Sequence, residues 1–401
     1  MTDASAQTSD RSLALRIAML YGAWAIVVGV QMPYLPVWLE WRGLSLAEIA
    51  IVASAPLAFR IVVMPVVAFY ADRHGAHRGL LIAMAWLSLA ALLGLAATSS
   101  FWAILAVHII ATVALSPILP LTETLAADGA RRGILDYGRV RLWASVTFIL
   151  ASFGGGALVT GFGPPGALAL MAFGAALTVL AAHRLPPPAP SDGGVVARPP
   201  LRLADAMALA RHPAFLLFLV ASGAVQAAHA VLYTFGTLHW QRLGLSTPWI
   251  SLLWAIGVIA EIMLFAWSKP VTRYLTPVGF LLIGAGAGVV RWLVMALDPP
   301  LAVLLPLQAL HALSYGASHL GAMQFIAQAV PAQSGGTAQA LYATCSGALA
   351  MAIAMQIAGH TYVAYAGLAY GAMALLSLAA VAAAWLLRRR WSGGVLAIAE
   401  R

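Results

Sequence analysis

Apolar residues run along this 401-residue chain in blocks of about twenty with short polar punctuation, without the strict alternation of a half-buried strand. A helix needs roughly 20 mainly apolar residues to cross a bilayer. Twelve such segments are predicted: about 13–36, 46–70, 79–97, 101–127, 138–160 and 164–183, then 213–238, 247–267, 278–297, 301–327, 337–360 and 364–387. Continuous apolarity selects helices over a barrel, whose strands alternate. The polar, Pro/Gly-rich stretch "HRLPPPAPSDGGVVARPPLRLADA" (183–206) divides six spans from six, as a flexible linker would. The pattern therefore predicts an all-α membrane protein: a six-helix bundle at 1–184, a cytoplasmic linker at 185–212, and a second six-helix bundle with a short tail at 213–401.

Composition agrees. Apolar residues make up 62% of the chain and charged residues 9%, against about 25% charged in soluble proteins. The formal charge of +9 sits in loops between apolar segments, which reads as positive-inside bias and not as nucleic-acid binding. Sixteen Lys and Arg flank the linker side, whereas Arg42 and Arg242 are the two on the other, placing both termini in the cytoplasm. The first span is too long for a signal-peptide core and no cleavage pattern follows it, so it is expected to stay in place. Trp38, Trp41, Trp240 and Trp391 fall at span ends and read as interfacial anchors.

An internal repeat supports two related halves. "WRGLS" (41–45) follows the first span and "WQRLGLS" (240–246) the seventh, offset by 245 − 44 = 201 residues. Parallel halves of six spans are the layout of major facilitator transporters, which bind substrate at the midplane. Cys345, the sole cysteine, has no partner for a disulfide within the chain. No phosphate-binding loop, dinucleotide fingerprint or metal-spaced His/Cys cluster is present, so no cofactor and no metal are expected.

The segment "LLWAIGVIAEIMLFAWS" (252–268) carries a carboxylate, Glu261, near its centre. A charge there costs at least ~2.5–3.5 kcal/mol unless it is paired or wetted. Arg60, Glu123, Arg139, Arg141 and Arg291 pose the same question, and His108, His229, His311 and His319 add neutral ionisable groups. Arg139 has a local explanation, since it sits beside Asp136 at a span end. Helical spacing groups others. His311, Tyr315, Ser318 and His319 share one face, as do Gln226, His229 and Tyr233; Thr112, Ser116 and Glu123; and Tyr21, Trp24, Val28 and Gln31. Trp254 lies seven residues before Glu261 on the same face, positioned to stack on a ligand. For His108, Arg60 and His319, helix–helix glue explains the pattern as well as a functional site does.

The loop "ADRHGAHR" (71–78) resembles the major facilitator signature Gly-x-x-x-Asp-Arg-x-Gly-Arg/Lys: Asp72, Arg73 and Gly75 match, while Ala68 and Ala76 depart from it. The resemblance implies a conformational latch. "PLTETLA" (120–126) with "LDYGRVRLW" (135–143), "WAIGVIAEIMLFAWS" (254–268), "VVRWLVMA" (289–296) and "LQALHALSYGASHL" (307–320) is similar to the proton-coupled permeases that include the lactose and phenylpropionate permeases. It implies that Glu123 and Arg141 take part in substrate recognition, and that Glu261, Arg291 and His311, with Glu123 as the competing carrier, take part in proton coupling. Ser314 stands where the lactose-type members have a further glutamate, and His229 replaces their acidic span-seven residues. The wording of the motifs is nearer the phenylpropionate branch.

The expected activity is proton-coupled uptake of a small organic solute by alternating access in the bacterial inner membrane, with a single chain sufficient. An excess of intramembrane arginines over carboxylates favours an anion. Tyr21, Trp24, Gln31, His229, Tyr233, Trp254 and Tyr315 complete a substrate-site set suited to an aromatic monocarboxylate. A sugar or nucleoside symporter and a proton-driven exporter are the alternatives. An intramembrane enzyme is not expected, since His311 with Ser314 is the nearest approach to a catalytic pair.

Overall fold

A computed structural model describes residues 2–186, 203–271 and 273–396. All regular structure among them is helical. The first half comprises α1 (Thr2–Trp41), α2 (Leu46–His74), α3 (His77–Ala96), α4 (Phe101–Leu115), α5 (Ile118–Arg131), α6 (Tyr137–Phe162) and α7 (Pro165–Arg184). After the linker come α8 (Leu203–Arg211), α9 (Pro213–Ala227), α10 (Ala230–Arg242), α11 (Thr247–Ala266), α12 (Ser268–Val271) and α13 (Pro277–Met295). α14 (Leu301–Ala309), α15 (Ser318–Ala329), α16 (Gly335–Tyr342), α17 (Met351–Tyr365) and α18 (Tyr370–Arg390) complete the chain. Eleven described stretches are long and apolar enough to cross a membrane, and the last is a 56-residue run, Gly335–Arg390, holding both the eleventh and twelfth predicted spans. Much of the linker lies outside the described residues, but Leu203–Arg211 within it is helical.

Several spans are interrupted. Thr112 and Glu123, read as one face of a continuous helix, belong to α4 and α5, which part at Ser116–Pro117 because proline supplies no N–H to continue the ladder. α9 and α10 part at Ala228–His229. Ala312–Ala317 and Ala343–Ala350 adopt wide π-type turns, a geometry that recurs at functional sites. The internal repeat has a plain physical meaning: Gly43 and Gly244 hold φ of +85° and +81°, conformations that glycine adopts without steric cost. Each ends one helix before the next begins, and Ser45 with Glu48 forms a reciprocal capping box at the start of α2.

The described helices group into two compact units, Met1–Arg198 with Leu245–Ser251, and Pro199–Gly244 with Leu252–Arg401. In the first, α1 packs on α6 and α7. A Cβ on Gly29 would sit 2.7 Å from the Phe148 carbonyl, and one on Gly174 would sit 2.7 Å from Ile26, so glycine permits this approach where lipid offers no hydrophobic drive. The first turn of α11 joins this unit through Ser251, which accepts from the Tyr34 hydroxyl at 2.6 Å and donates to the Ser152 carbonyl at 3.2 Å.

In the second unit, α13 and α9 pack on α18. One end is filled by Phe215, Phe218, Phe325, Tyr342 and Trp391. The tryptophan expectation is therefore corrected: Trp38, Trp240 and Trp391 are buried and Trp41 is exposed, because indoles at span ends fill gaps between helices as readily as they meet headgroups.

Candidate functional site

In the first unit, the break before Ile118 starts a new helix that carries Glu123 toward α6. Arg141 Nε donates to Glu123 Oε1 at 2.9 Å, and the Tyr137 hydroxyl donates to the other carboxylate oxygen. Tyr137 lies one turn before Arg141, so both reach the same carboxylate from one face of α6. The sequence reading missed Tyr137, although that i, i+4 spacing was present. The Arg141 guanidinium lies 5.7 Å from the Tyr21 ring centroid. The Tyr21 hydroxyl is directed at the Glu123 carboxylate, and Trp24 Nε1 is buried without a hydrogen-bond partner among the described residues. Gln31 Nε2 donates to Thr112 Oγ1 at 3.3 Å, and Thr112 contacts His108 at 3.3 Å, so His108 is held in helix packing.

Arg60 sits midway along α2, its Nε is buried without a partner, and no ion pair reaches it among the described residues. In the loop at 71–78, Gly75 at φ +59° is the left-handed cap of α2, its N–H bonded to the Ala71 carbonyl, and Arg73 lies over the Phe69 ring. The Asp72 side chain falls outside the described set.

In the second unit, α13 carries Arg291 into a pocket of neutral partners. Its guanidinium is 1% exposed and lies 4.6 Å from the Trp292 ring centroid. Nη2 donates to Gln308 Oε1 at 2.7 Å, and Nη1 donates to Ser314 Oγ at 3.1 Å and to His311 Nδ1 at 3.2 Å. Arginine only donates, so His311 Nδ1 accepts and a neutral His311 carries its proton on Nε2. That nitrogen points at Glu261 Oε2, 3.6 Å away. His311 thus stands between the guanidinium and the carboxylate, which do not meet directly.

Ser314 is the second junction. His229 Nδ1 donates to the Val225 carbonyl at 3.0 Å, which leaves Nε2 to accept from the Ser314 hydroxyl at 3.2 Å. The position read as a missing glutamate is a hydroxyl relaying Arg291 to His229. The wide turn at 312–317 carries Ser314 and Tyr315 just after His311. Rings complete the cluster: Tyr315 stacks on His311 at 5.2 Å, Tyr233 lies 5.4 Å from His229, and Trp254 stacks on Tyr233 at 6.3 Å. Trp254 is already engaged, with Nε1 donating to Thr237 Oγ1 at 3.0 Å. His319 bonds the Tyr342 hydroxyl at 3.3 Å, outside the arginine network.

The predicted residues thus form two sets, one per unit: Glu123 with Arg141 beside Tyr21, and Glu261, His311, Arg291 and His229 with the tyrosines. Sequence reasoning missed Gln308 as well, since a single glutamine in an apolar helix carries no spacing signal. Among the described residues no cluster suited to a metal ion occurs.

Residues 15–374 match the model of the MFS_1 like family. The chain belongs to this family of major facilitator transporters. It is 32% identical over 374 residues to a probable 3-phenylpropionic acid transporter of Escherichia coli K12, covering 91% of this chain and 95% of the relative. It is 30% identical over 342 residues to the maltose permease of Geobacillus stearothermophilus, covering 83% of each. The crystal structure of the nucleoside transporter NupG shares the fold with a TM-score of 0.79, at 17% identity over 95% of this chain and 99% of that one. The chain is therefore a multi-pass integral protein of the bacterial inner membrane and a transporter by family.

Proposed function

We propose that this transporter is a proton-coupled symporter for a small aromatic monocarboxylate, working by alternating access as a monomer with twelve crossings and both termini cytoplasmic. The count is supported by the 56-residue run Gly335–Arg390, which breaks at Ala366–Ala369: as one straight helix it would be about 84 Å long, against a core of about 30 Å. The cytoplasmic assignment is supported by the loop charges.

One observation carries the substrate class. Of Arg60, Arg141 and Arg291, Arg141 alone meets a carboxylate directly among the described residues; Arg291 has only neutral hydrogen-bond partners there and Arg60 has none. A buried cation left without an anion is costly, so it favours a ligand that brings one. A carboxylate suits the planar guanidinium fork, and the Tyr and Trp rings suit an apolar body. The named phenylpropionate relative supports the same class.

For coupling, Glu261 is the proton carrier and His311 the group that holds or relays its proton, with Glu123 the rival carrier. The test is uptake of 3-phenylpropionate by proteoliposomes under an imposed inward proton gradient. Wild type accumulates it, and Glu261→Gln exchanges substrate without accumulating it. If Glu261→Gln and Glu123→Gln both retain full gradient-driven uptake, the coupling scheme is wrong; efflux driven by the same gradient would make the protein an exporter. A sugar substrate is the second reading, favoured by the Glu123–Arg141 pair, whose charges cancel and leave hydrogen-bonding edges. Competition by maltose but not by 3-phenylpropionate would establish it.

A further inference from the structure

A second ionisable cluster lies in the same unit, at the opposite end of the seventh span from the linker. His239 is 4% exposed, near the end of α10. Its Nε2 lies 2.9 Å from Asp298 Oδ1, in the turn after α13, and its Nδ1 lies 3.1 Å from the Tyr362 hydroxyl of α17. From α18 the Tyr370 ring approaches to 5.9 Å, and from α10 itself Arg242 covers the Tyr362 ring. Among the described residues, Asp298, Arg242, Tyr362 and Tyr370 are charged or titratable groups around the imidazole.

The backbone at this corner is unusual. Asp298 and Ala366, at φ +49° and +48°, are the non-glycine residues of positive φ among those described. Both belong to the turns that meet here: a Cβ on Gly367 would collide with the Asp298 carboxylate and sit 2.9 Å from His239 Cε1. Asp tolerates this left-handed region, but Ala366, with ψ of −124°, does not adopt it readily, and such backbone persists where the surroundings over-determine it.

The arrangement accommodates two protonation states. With a neutral ring, Nε2–H donates to Asp298 and Nδ1 accepts from the Tyr362 hydroxyl. With a protonated ring, both nitrogens donate, and the Tyr362 oxygen accepts instead. The Asp298 side chain, in the turn after α13, is 42% exposed while the imidazole stays buried.

The cluster also adjoins the central network. Tyr370 stacks on Trp292 at 5.9 Å; Trp292 meets His229 edge-on at 5.1 Å and carries the Arg291 guanidinium over its face. His239 is ten residues beyond His229, about 15 Å along a helix.

We propose that His239 and Asp298 form a proton-loading site at this end of the second unit, through which the pH of the adjoining compartment sets the rate of transport. It rests on the proton-coupling reading only for the use to which the bound proton is put.

Two measurements on the whole 401-residue chain test it. In liposomes, initial 3-phenylpropionate uptake is measured while the pH on each side is varied separately from 5.5 to 8.5. Wild type shows a step with the pH on one side; His239→Gln abolishes the step, and Asp298→Asn moves it to lower pH by about one unit, because a neutral amide no longer holds the imidazolium. A rate that falls evenly at every pH in both variants, leaving the profile intact, would mean a merely structural role and overturn the proposal. Deuterium exchange at each imidazole C2–H, read by mass spectrometry, needs no substrate. His239 is expected to titrate in this range with a midpoint that falls in Asp298→Asn and stays in Glu261→Gln. A midpoint indifferent to Asp298, or absent from the range, also overturns the site. Full gradient-driven uptake in both Glu261→Gln and Glu123→Gln would defeat the coupling scheme while leaving the His239 titration to decide this proposal.

Discussion

Ser314→Ala tests the central network most directly. The hydroxyl is fully buried, accepts from Arg291 at 3.1 Å and donates to His229 at 3.2 Å. Its removal orphans one guanidinium N–H and one imidazole nitrogen. On soluble-protein scales the charged bond is worth about 1.5–3 kcal/mol and the neutral one about 0.5–1.5. Polar contacts between membrane helices average only ~0.6 kcal/mol, with a maximum near 1.7, so about 2 kcal/mol is expected for the pair. In a unit of this size that lowers the melting midpoint by roughly 4–8 °C. The assay is thermal unfolding of the purified protein in detergent, beside substrate binding at fixed pH. Thr178→Val is the control: its hydroxyl donates at 2.8 Å to the Gly174 carbonyl of its own helix, and its loss should cost under about 1 kcal/mol. If Ser314→Ala melts with wild type and binds equally well, Ser314 does not hold Arg291, and the chain of donors through it is wrong.

Glu123→Gln keeps the shape of the first-unit pair but removes its charge; with side chains 39% and 29% exposed, the stability loss should stay near or below about 1 kcal/mol, while substrate affinity changes more, as ligand titration would show. Arg60→Gln should weaken binding of 3-phenylpropionate at least tenfold without lowering the melting midpoint, since no protein partner is lost; equal affinity would remove Arg60 from the site. Gly29→Ala places a methyl against the backbone of Phe148 and should cost about 1–3 kcal/mol by overpacking, seen as a lower melting midpoint. Gly75→Ala meets open space but keeps φ at +59°, a backbone penalty of about 1–2 kcal/mol; slower turnover at unchanged substrate affinity is expected, and unchanged turnover would argue against the latch.

The long apolar helical stretches and the charged residues within them were legible from residue type alone. Crossing a bilayer is decided by the apolar content of some twenty consecutive residues, which is local information. Glu123, Arg141, Glu261, Arg291 and His311 stood out because ionisable groups are expensive at that depth. Their partners were not legible. Ser314 looks like any serine in an apolar helix until α13 brings Arg291 and the start of α10 brings His229 beside it. His239 and Asp298 are 59 residues apart with no periodicity to link them. Trp38 and Trp240 were misread because position along a span does not say which side of a helix meets another helix. The sequence by itself determined which segments enter the membrane and where charge must be answered. The tertiary structure decided which polar group answers which, because hydrogen bonds are short and directional and depend on how the faces of separate helices come together.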